Sequence, residues 1–289
     1  MRALLLAVLL LLAAPLHAAE FKLATWNIAW LTLRGAGDEA LPRGLALRQP
    51  EDFARLADYA RRLDADIVAL QEVDGAQAAA RVFDPGTYAF FFTRENDVQR
   101  TGFAIRHRIA ATQNEDLAAL DIAPGARLSQ RRGADVTVTL NARPFRLLSV
   151  HLNAGCREGP MDAGRNRECE GLARQAEVLA GWIAARRREG IAFAVLGDFN
   201  RRMDHPRDEM TATLAAAAPL TRANAGASNP CWADARGARP FIDHILLGGA
   251  ARDWMQRGSL RVMVYAERDP AFRDRLSDHC PVSIRLRVP

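Results

Sequence analysis

The stretch Ile191-Ala-Phe-Ala-Val-Leu-Gly-Asp-Phe-Asn200 decides how this chain is read. Ile191 to Leu196 is a continuous apolar run between two glycines. It is the right length for a buried strand and short for a helix. The run ends in a carboxylate, Asp198, and an amide, Asn200. Five other stretches share this construction: Thr25-Trp26-Asn27, Leu70-Gln71-Glu72, Val150-His151-Leu152-Asn153, Ile242-Asp243-His244 and Ser277-Asp278-His279. A core gains nothing from six polar strand tips, because a buried polar group costs free energy unless it is paired. A site that handles a charged substrate needs them.

Working outward, the chain alternates strand-like and helix-like segments from Phe21. Lys22–Asn27, Ile67–Leu70, Tyr88–Thr93, Thr101–Arg106, Asp135–Leu140, Phe145–His151, Phe241–Leu247, Leu260–Tyr265 and Val282–Val288 read as further strands. Phe90, Phe91 and Phe92 belong to a core strand, and Asn141 to Pro144 form a hairpin turn. Pro50 opens a helix whose apolar stripe is Phe53, Leu56, Ala57, Ala60 and Leu63. Leu172, Ala176, Leu179 and Ile183 mark a second helix. Arg186 to Arg188 suit its C-terminal dipole, and Gly190 ends it. Asp208 to Ala217 reads as a short helix. Strand–Asn27, helix, strand–Glu72 echoes strand–His151, helix, strand–Asp198. That echo implies an α/β fold of two packed sheets covered by helices.

With 289 residues, 49% of them hydrophobic, the chain is a globular protein with a sizeable core. Arg2, the apolar run Ala3 to Ala14 and the small residues Ala18-Ala19 read as a secretory signal peptide over residues 1–19, leaving one domain over 20–289. The expected location is secreted or periplasmic. Export permits disulfides. Cys156, Cys169, Cys231 and Cys280 allow three pairings, of which Cys156–Cys169 and Cys231–Cys280 are favoured. No Cys-x-x-Cys occurs, which argues against a zinc ribbon. The net charge of +5 is mild, and all basic residues except Lys22 are arginine. That balance suits an anionic substrate.

Hydrolysis of a phosphodiester needs a cation to neutralise the phosphate, a base to activate water, and donors for the transition state. Mg²⁺ takes few oxygen ligands and keeps much of its water, so Glu72 with Asn27 beside it fits that role. Asp198 or Asp278 is placed to take or orient water. His151, His279, Asn153 and Asn200 are candidate donors to phosphate oxygens, and Asp243 a partner that fixes the His279 tautomer.

Six motifs in this order, TWNIAW, ALQEVD, SVHLN, LGDFNR, FIDHILL and LSDHCPV, resemble the endonuclease/exonuclease/phosphatase superfamily of deoxyribonuclease I and exonuclease III-like enzymes. The resemblance runs from about Leu23 to Val282. It implies a four-layer αββα sandwich of two mixed β-sheets flanked by helices, with the site at one sheet edge. It also implies that Glu72 is the main metal ligand with Asn27 its neighbour, and that Asp278 reaches a second metal. By the same resemblance Asp198 positions or deprotonates water, Asn200 holds the phosphate, His151 contacts it, and His279 pairs with Asp243.

The remaining polar residues divide. His244 follows Asp243 in a strand and so faces the other side, as a structural residue. His107 and His205 read as solvated, and Trp232 as packing beneath Cys231. Arg201, Arg202, Arg157 and Arg165 are candidate substrate-binding residues near the site motifs. The expected activity is that of a Mg²⁺-dependent phosphodiesterase, with Mn²⁺ or Ca²⁺ as alternative metals. The expected substrate is DNA, acted on by a monomer without membrane insertion. A hydrolase of phospholipid headgroups or small phosphate esters is the first alternative. A catalytically silent binding protein on the same fold is the second.

Overall fold

The structure is a computed structural model and describes residues 18–123, 131–161, 166–234 and 237–289. All but the last two residues of the expected signal peptide, and Arg165, lie outside them. In chain order the elements are β1 (Ala19–Leu31), α1 (Pro50–Leu63), β2 (Ile67–Val73), α2 (Ala76–Ala79), β3 (Tyr88–Phe92), β4 (Arg100–Arg106), β5 (Ala111–Gln113), β6 (Ala134–Leu140), β7 (Arg143–His151), α3 (Arg167–Glu189), β8 (Ala192–Asp198), α4 (Glu209–Ala217), β9 (Leu220–Arg222), β10 (Asn229–Asp234), β11 (Gly237–Arg239), β12 (Asp243–Gly248), β13 (Arg261–Val262), α5 (Phe272–Arg275) and β14 (Val282–Val288).

Two mixed six-stranded sheets result, in the orders β13-β14-β1-β2-β4-β3 and β5-β6-β7-β8-β12-β9. Strand alternation explains why they stack. Leu23, Ile67 and Phe103 of the first sheet face Val136, Leu147 and Leu196 of the second in one dry core. The opposite faces carry Trp26 and Leu70 against Leu56 and Leu63 of α1. On the second sheet, Val150 and Val195 meet Leu172 and Leu179 of α3. Four layers follow, as the motifs implied.

The echo between halves is real in topology. β1–α1–β2 and β7–α3–β8 each close a parallel pair at a sheet centre, and every other strand pair is antiparallel. Parallel strands end on the same side, so the tips of four strands gather at one end of the sandwich. The helix ends are specified locally. Asn166 Oδ1 accepts from Cys169 N at 2.7 Å at the start of α3, and Gly190 closes it with φ 66°.

Some boundaries differ from expectation. The strand expected over Leu260–Tyr265 shortens to β13; Met263 N still donates to Pro281 O at 2.9 Å, and Tyr265 turns its hydroxyl to His279 O. The two-stranded β10–β11 hairpin and the short edge strands β5 and β9 carry no alternation long enough to announce them. Both favoured disulfides are formed, Cys156–Cys169 and Cys231–Cys280.

Candidate active site

Register sets the floor of the site. His151 of β7 pairs with Asp198 of β8, and Asp198 pairs with Asp243 of β12, so three adjacent strands present these side chains at one level. Gly197, one residue earlier, has φ 146°. A Cβ there would lie 2.0 Å from the Val150 carbonyl oxygen, so the close β7–β8 approach requires glycine.

The first sheet supplies the facing wall through a bulge. The β1–β2 register shifts between Asn27 and Leu31, and Ala29, Trp30 and Glu72 all take positive φ, at 38°, 53° and 58°. The bulge turns Glu72 into the cluster, where Trp30 N donates to its Oε2 at 3.2 Å and Asn27 Nδ2 donates to its Oε1 at 2.9 Å. Gln99 Nε2 also donates to Oε2. The Arg48 guanidinium holds the bulge from behind, donating to the carbonyls of Ile28, Ala29, Trp30 and Leu276. Beneath, Thr25 donates to Gln71 Oε1 at 3.1 Å and Gln71 Nε2 donates to Ser149 Oγ at 3.0 Å, tying one sheet to the other.

Asn27 also donates to Asp198 Oδ2 at 3.1 Å, while its Oδ1 accepts from Ala29 N at 2.9 Å. All three partners agree on the amide orientation, and the NH₂ faces the carboxylates. His279 stands across from Asp198. Both Asp243 oxygens lie 2.9 Å from its Nδ1, and its Nε2 is 3.6 Å from Asp198 Oδ2. Ser277 Oγ donates to Asn27 O at 2.7 Å and accepts from His279 N at 3.0 Å, which pins this last motif to β1.

The electrostatics separate the two imidazoles. Burial lowers the His151 pKa well below its ordinary value, helped by Arg131 and His279. Arg131 approaches both ring nitrogens, Nδ1 at 3.1 Å and Nε2 at 3.0 Å, and Nε2 lies 3.7 Å from both Glu72 and Asp198. Burial also opposes charge on His279, but the Asp243 and Asp198 carboxylates outweigh it and raise its pKa well above normal. Asp198 is pushed up to about 7, chiefly by burial and partly by Asp243, against the pull of His279.

The sequence-expected residues Glu72, His151, Asp198, Asn200, Asp243, Asp278 and His279 line one cavity of about 330 Å³, with Arg157 and Arg202. Asp278 is half-exposed, 3.9 Å from His279 Nε2. Two expectations fall away from the cavity. Arg201 is 2% exposed, pairs with Asp208 at 2.6 Å and donates to the carbonyls of Cys156 and Gly159. It is a buried strut, because the left-handed Asn200 (φ 50°) turns the chain inward immediately after the site. Asn153 donates to Glu168 O at 2.8 Å and its N–H binds Gln175, so it fastens the start of α3. His244 is structural as expected, hydrogen-bonded to Arg201 O and Asn224. Trp232 stacks on Tyr265 and donates to Ser277 O. Gln99, Arg131, Asn229, Arg239 and Arg273 also line the cavity. They sit in loops, short elements or an edge hairpin, and no motif flagged them.

The carboxylate oxygens of this cluster suit a hard divalent cation. One ligand atom each from Glu72, His151 and Asp198 lies within 4.8 Å of the others, as does one each from Asp198, Asp243 and His279. A two-sheet sandwich whose strand tips meet in such a cluster is the arrangement of metal-dependent phosphodiesterases and nucleases. The chain belongs to the Endonuclease/Exonuclease/phosphatase family, whose model matches residues 24–279. No curated protein matches the sequence. Among solved structures, a humanized D. rerio TDP2 is 17% identical with a TM-score of 0.61, covering 93% of this chain and 99% of that one. A Bacteroides thetaiotaomicron protein of the same family is 14% identical with a TM-score of 0.60, covering 94% and 99%. The 3' phosphatase NExo from Neisseria, bound to a product DNA hairpin, is 21% identical with a TM-score of 0.56, covering 92% and 99%. These likenesses are likenesses of fold.

Proposed function

We propose that the protein is an exported, Mg²⁺-dependent phosphodiesterase that hydrolyses DNA. The observation that carries this reading is the register of His151, Asp198 and Asp243 on adjacent strands, closed over by Glu72 and His279 in an arginine-lined cavity. Two disulfides fit an oxidising compartment. No helix among the described residues is long and apolar enough to cross a membrane.

Glu72 holds the cation, with Asp198 beside it. Asn27 braces both carboxylates through its NH₂ rather than through its oxygen. When bound, the cation neutralises the phosphate and the leaving oxygen. Protonated His279, locked by Asp243, presents Nε2–H to a phosphate oxygen where negative charge builds. Asp198, whose pKa near 7 suits proton transfer at neutral pH, takes the proton of the attacking water. His151, kept neutral by burial, faces the phosphate beside Arg131, and Asn200, on the cavity wall, orients the phosphate. Two structural neighbours are recorded with DNA, the Neisseria phosphatase and D. rerio TDP2 with a single-strand product, which favours DNA as the substrate. A substrate panel tests the choice. DNA is expected to be cleaved with Mg²⁺ and phosphocholine not to be released from sphingomyelin vesicles; the reverse result would assign the phospholipid reading.

A further inference from the structure

Two guanidinium groups in the cavity wall have no partner to occupy them. Arg157 and Arg273 line the same cavity as Glu72 and His279, and among the described residues neither side chain makes a hydrogen bond or ion pair. Arg157 is exposed and Arg273 half-buried, so both guanidinium groups are open to a ligand entering the cavity. They come from different sheets. Arg157 follows β7 of the second sheet, next to the Cys156–Cys169 bridge, and its carbonyl is held by Arg202 N at 2.8 Å. Arg273 sits on α5, just before β14 of the first sheet. Five arginines and His279 line the cavity against four carboxylates, with Glu158 outside the lining paired to Arg202 at 2.9 Å. The wall is therefore positive before any cation binds, and a bound divalent cation makes it more so. A single phosphodiester carries one negative charge and leaves that excess uncompensated.

We propose that Arg157 and Arg273 hold phosphates flanking the scissile one, so that the preferred substrate is a nucleic-acid strand rather than an isolated phosphodiester. This rests on the phosphodiesterase reading and adds to it the residues that grip the strand on either side of the scissile bond. The arginines contact backbone, not bases, and confer length preference without sequence preference.

The test compares bis(p-nitrophenyl) phosphate, the dinucleotide TpT, a hexathymidylate and inositol hexakisphosphate, with the full protein and Mg²⁺ over a salt series. The hexathymidylate is expected to have the highest kcat/KM. Its log kcat/KM should fall with log salt, and Arg273→Gln and Arg157→Gln should each flatten that slope by about 0.7, the value for one phosphate contact on a single strand. Each should cost the hexathymidylate about tenfold more than TpT, the loss of one charge-assisted hydrogen bond. Arg273→Lys, which keeps the charge, should retain most of the slope; a structural role would not produce that rescue. Equal losses on TpT and hexathymidylate, or an unchanged slope, would overturn the proposal while leaving a phosphodiesterase in place; a preference for inositol hexakisphosphate, whose phosphates are monoesters, would overturn both the proposal and the phosphodiesterase reading. No metal-dependent hydrolysis of any of the four would overturn both.

Discussion

Glu72 holds a left-handed backbone angle that glutamate seldom takes, Asn200 one that asparagine tolerates better than most, and both sit where the proposed chemistry happens. Their neighbours share the cost of those angles: Trp30 N and Asn27 fix Glu72, and Asn200 N is held by Asp198 Oδ1 at 2.8 Å. Removing the functional groups should therefore cost rate and not fold. Asp198→Asn and His279→Ala are each expected to lower turnover by about 10²–10⁴-fold in a chain that still folds, His279→Ala with a lower melting temperature because it leaves the buried Asp243 without its cation; near-normal turnover in either would remove that residue from the mechanism. Arg201 predicts the opposite. Arg201→Ala strands Asp208 without its cation in the interior and should destabilise the fold by about 3–5 kcal/mol, measured by denaturant unfolding, with little change in KM. His244 gives a pH signature. Burial lowers its pKa to about 4 from an ordinary 6.5, so it folds neutral. Its contribution is complete above pH 6.5 and is lost as the pH falls from 6.5 toward 4. The unfolding free energy of His244→Gln should accordingly converge on that of the parent between pH 7.5 and pH 5; a constant difference would contradict the buried neutral imidazole. The six strand-tip motifs made most site residues legible. Arg201 turns away from the cavity after the left-handed Asn200, and Asn153 is drawn to Gln175 and Glu168 at the start of α3, placements that adjacency in sequence does not encode.

At the scale of elements, the β10–β11 hairpin is the least legible part and one of the most consequential. Six and three residues long, it carries no period to detect. Its attachment is clear in the structure: Cys231 bridges to Cys280, beside His279, and Trp232 stacks on Tyr265, whose hydroxyl donates to His279 O at 2.9 Å. Cys231→Ser should lower stability by about 2–5 kcal/mol and reduce turnover together, because the same bridge holds the fold and the His279 loop. Loss of stability with full turnover would detach the hairpin from the site. The long helices and central strands were legible because α1 and α3 keep helical periodicity and β8 keeps an unbroken apolar run. Gln99 and Arg273 were not, since loops and a one-turn helix bring them into the cavity by tertiary geometry alone.

At the scale of the molecule, the sandwich converts a linear order of motifs into one cavity. Two parallel β–α–β units end their strands on the same side, and the stacked sheets bring Glu72 from one within 3.7 Å of His151 from the other. The strand–helix–strand echo was readable beforehand; the facing of the two halves depends on inter-sheet contacts such as Gln71 to Ser149, which no local pattern encodes. The most direct test of the whole account is cleavage of supercoiled plasmid by the purified protein, with Mg²⁺ and with EDTA, beside Glu72→Gln. The account predicts nicking that needs Mg²⁺, stops with EDTA and is lost in Glu72→Gln. Nicking that persists in EDTA or in Glu72→Gln, or a folded protein that leaves the plasmid intact, would contradict it.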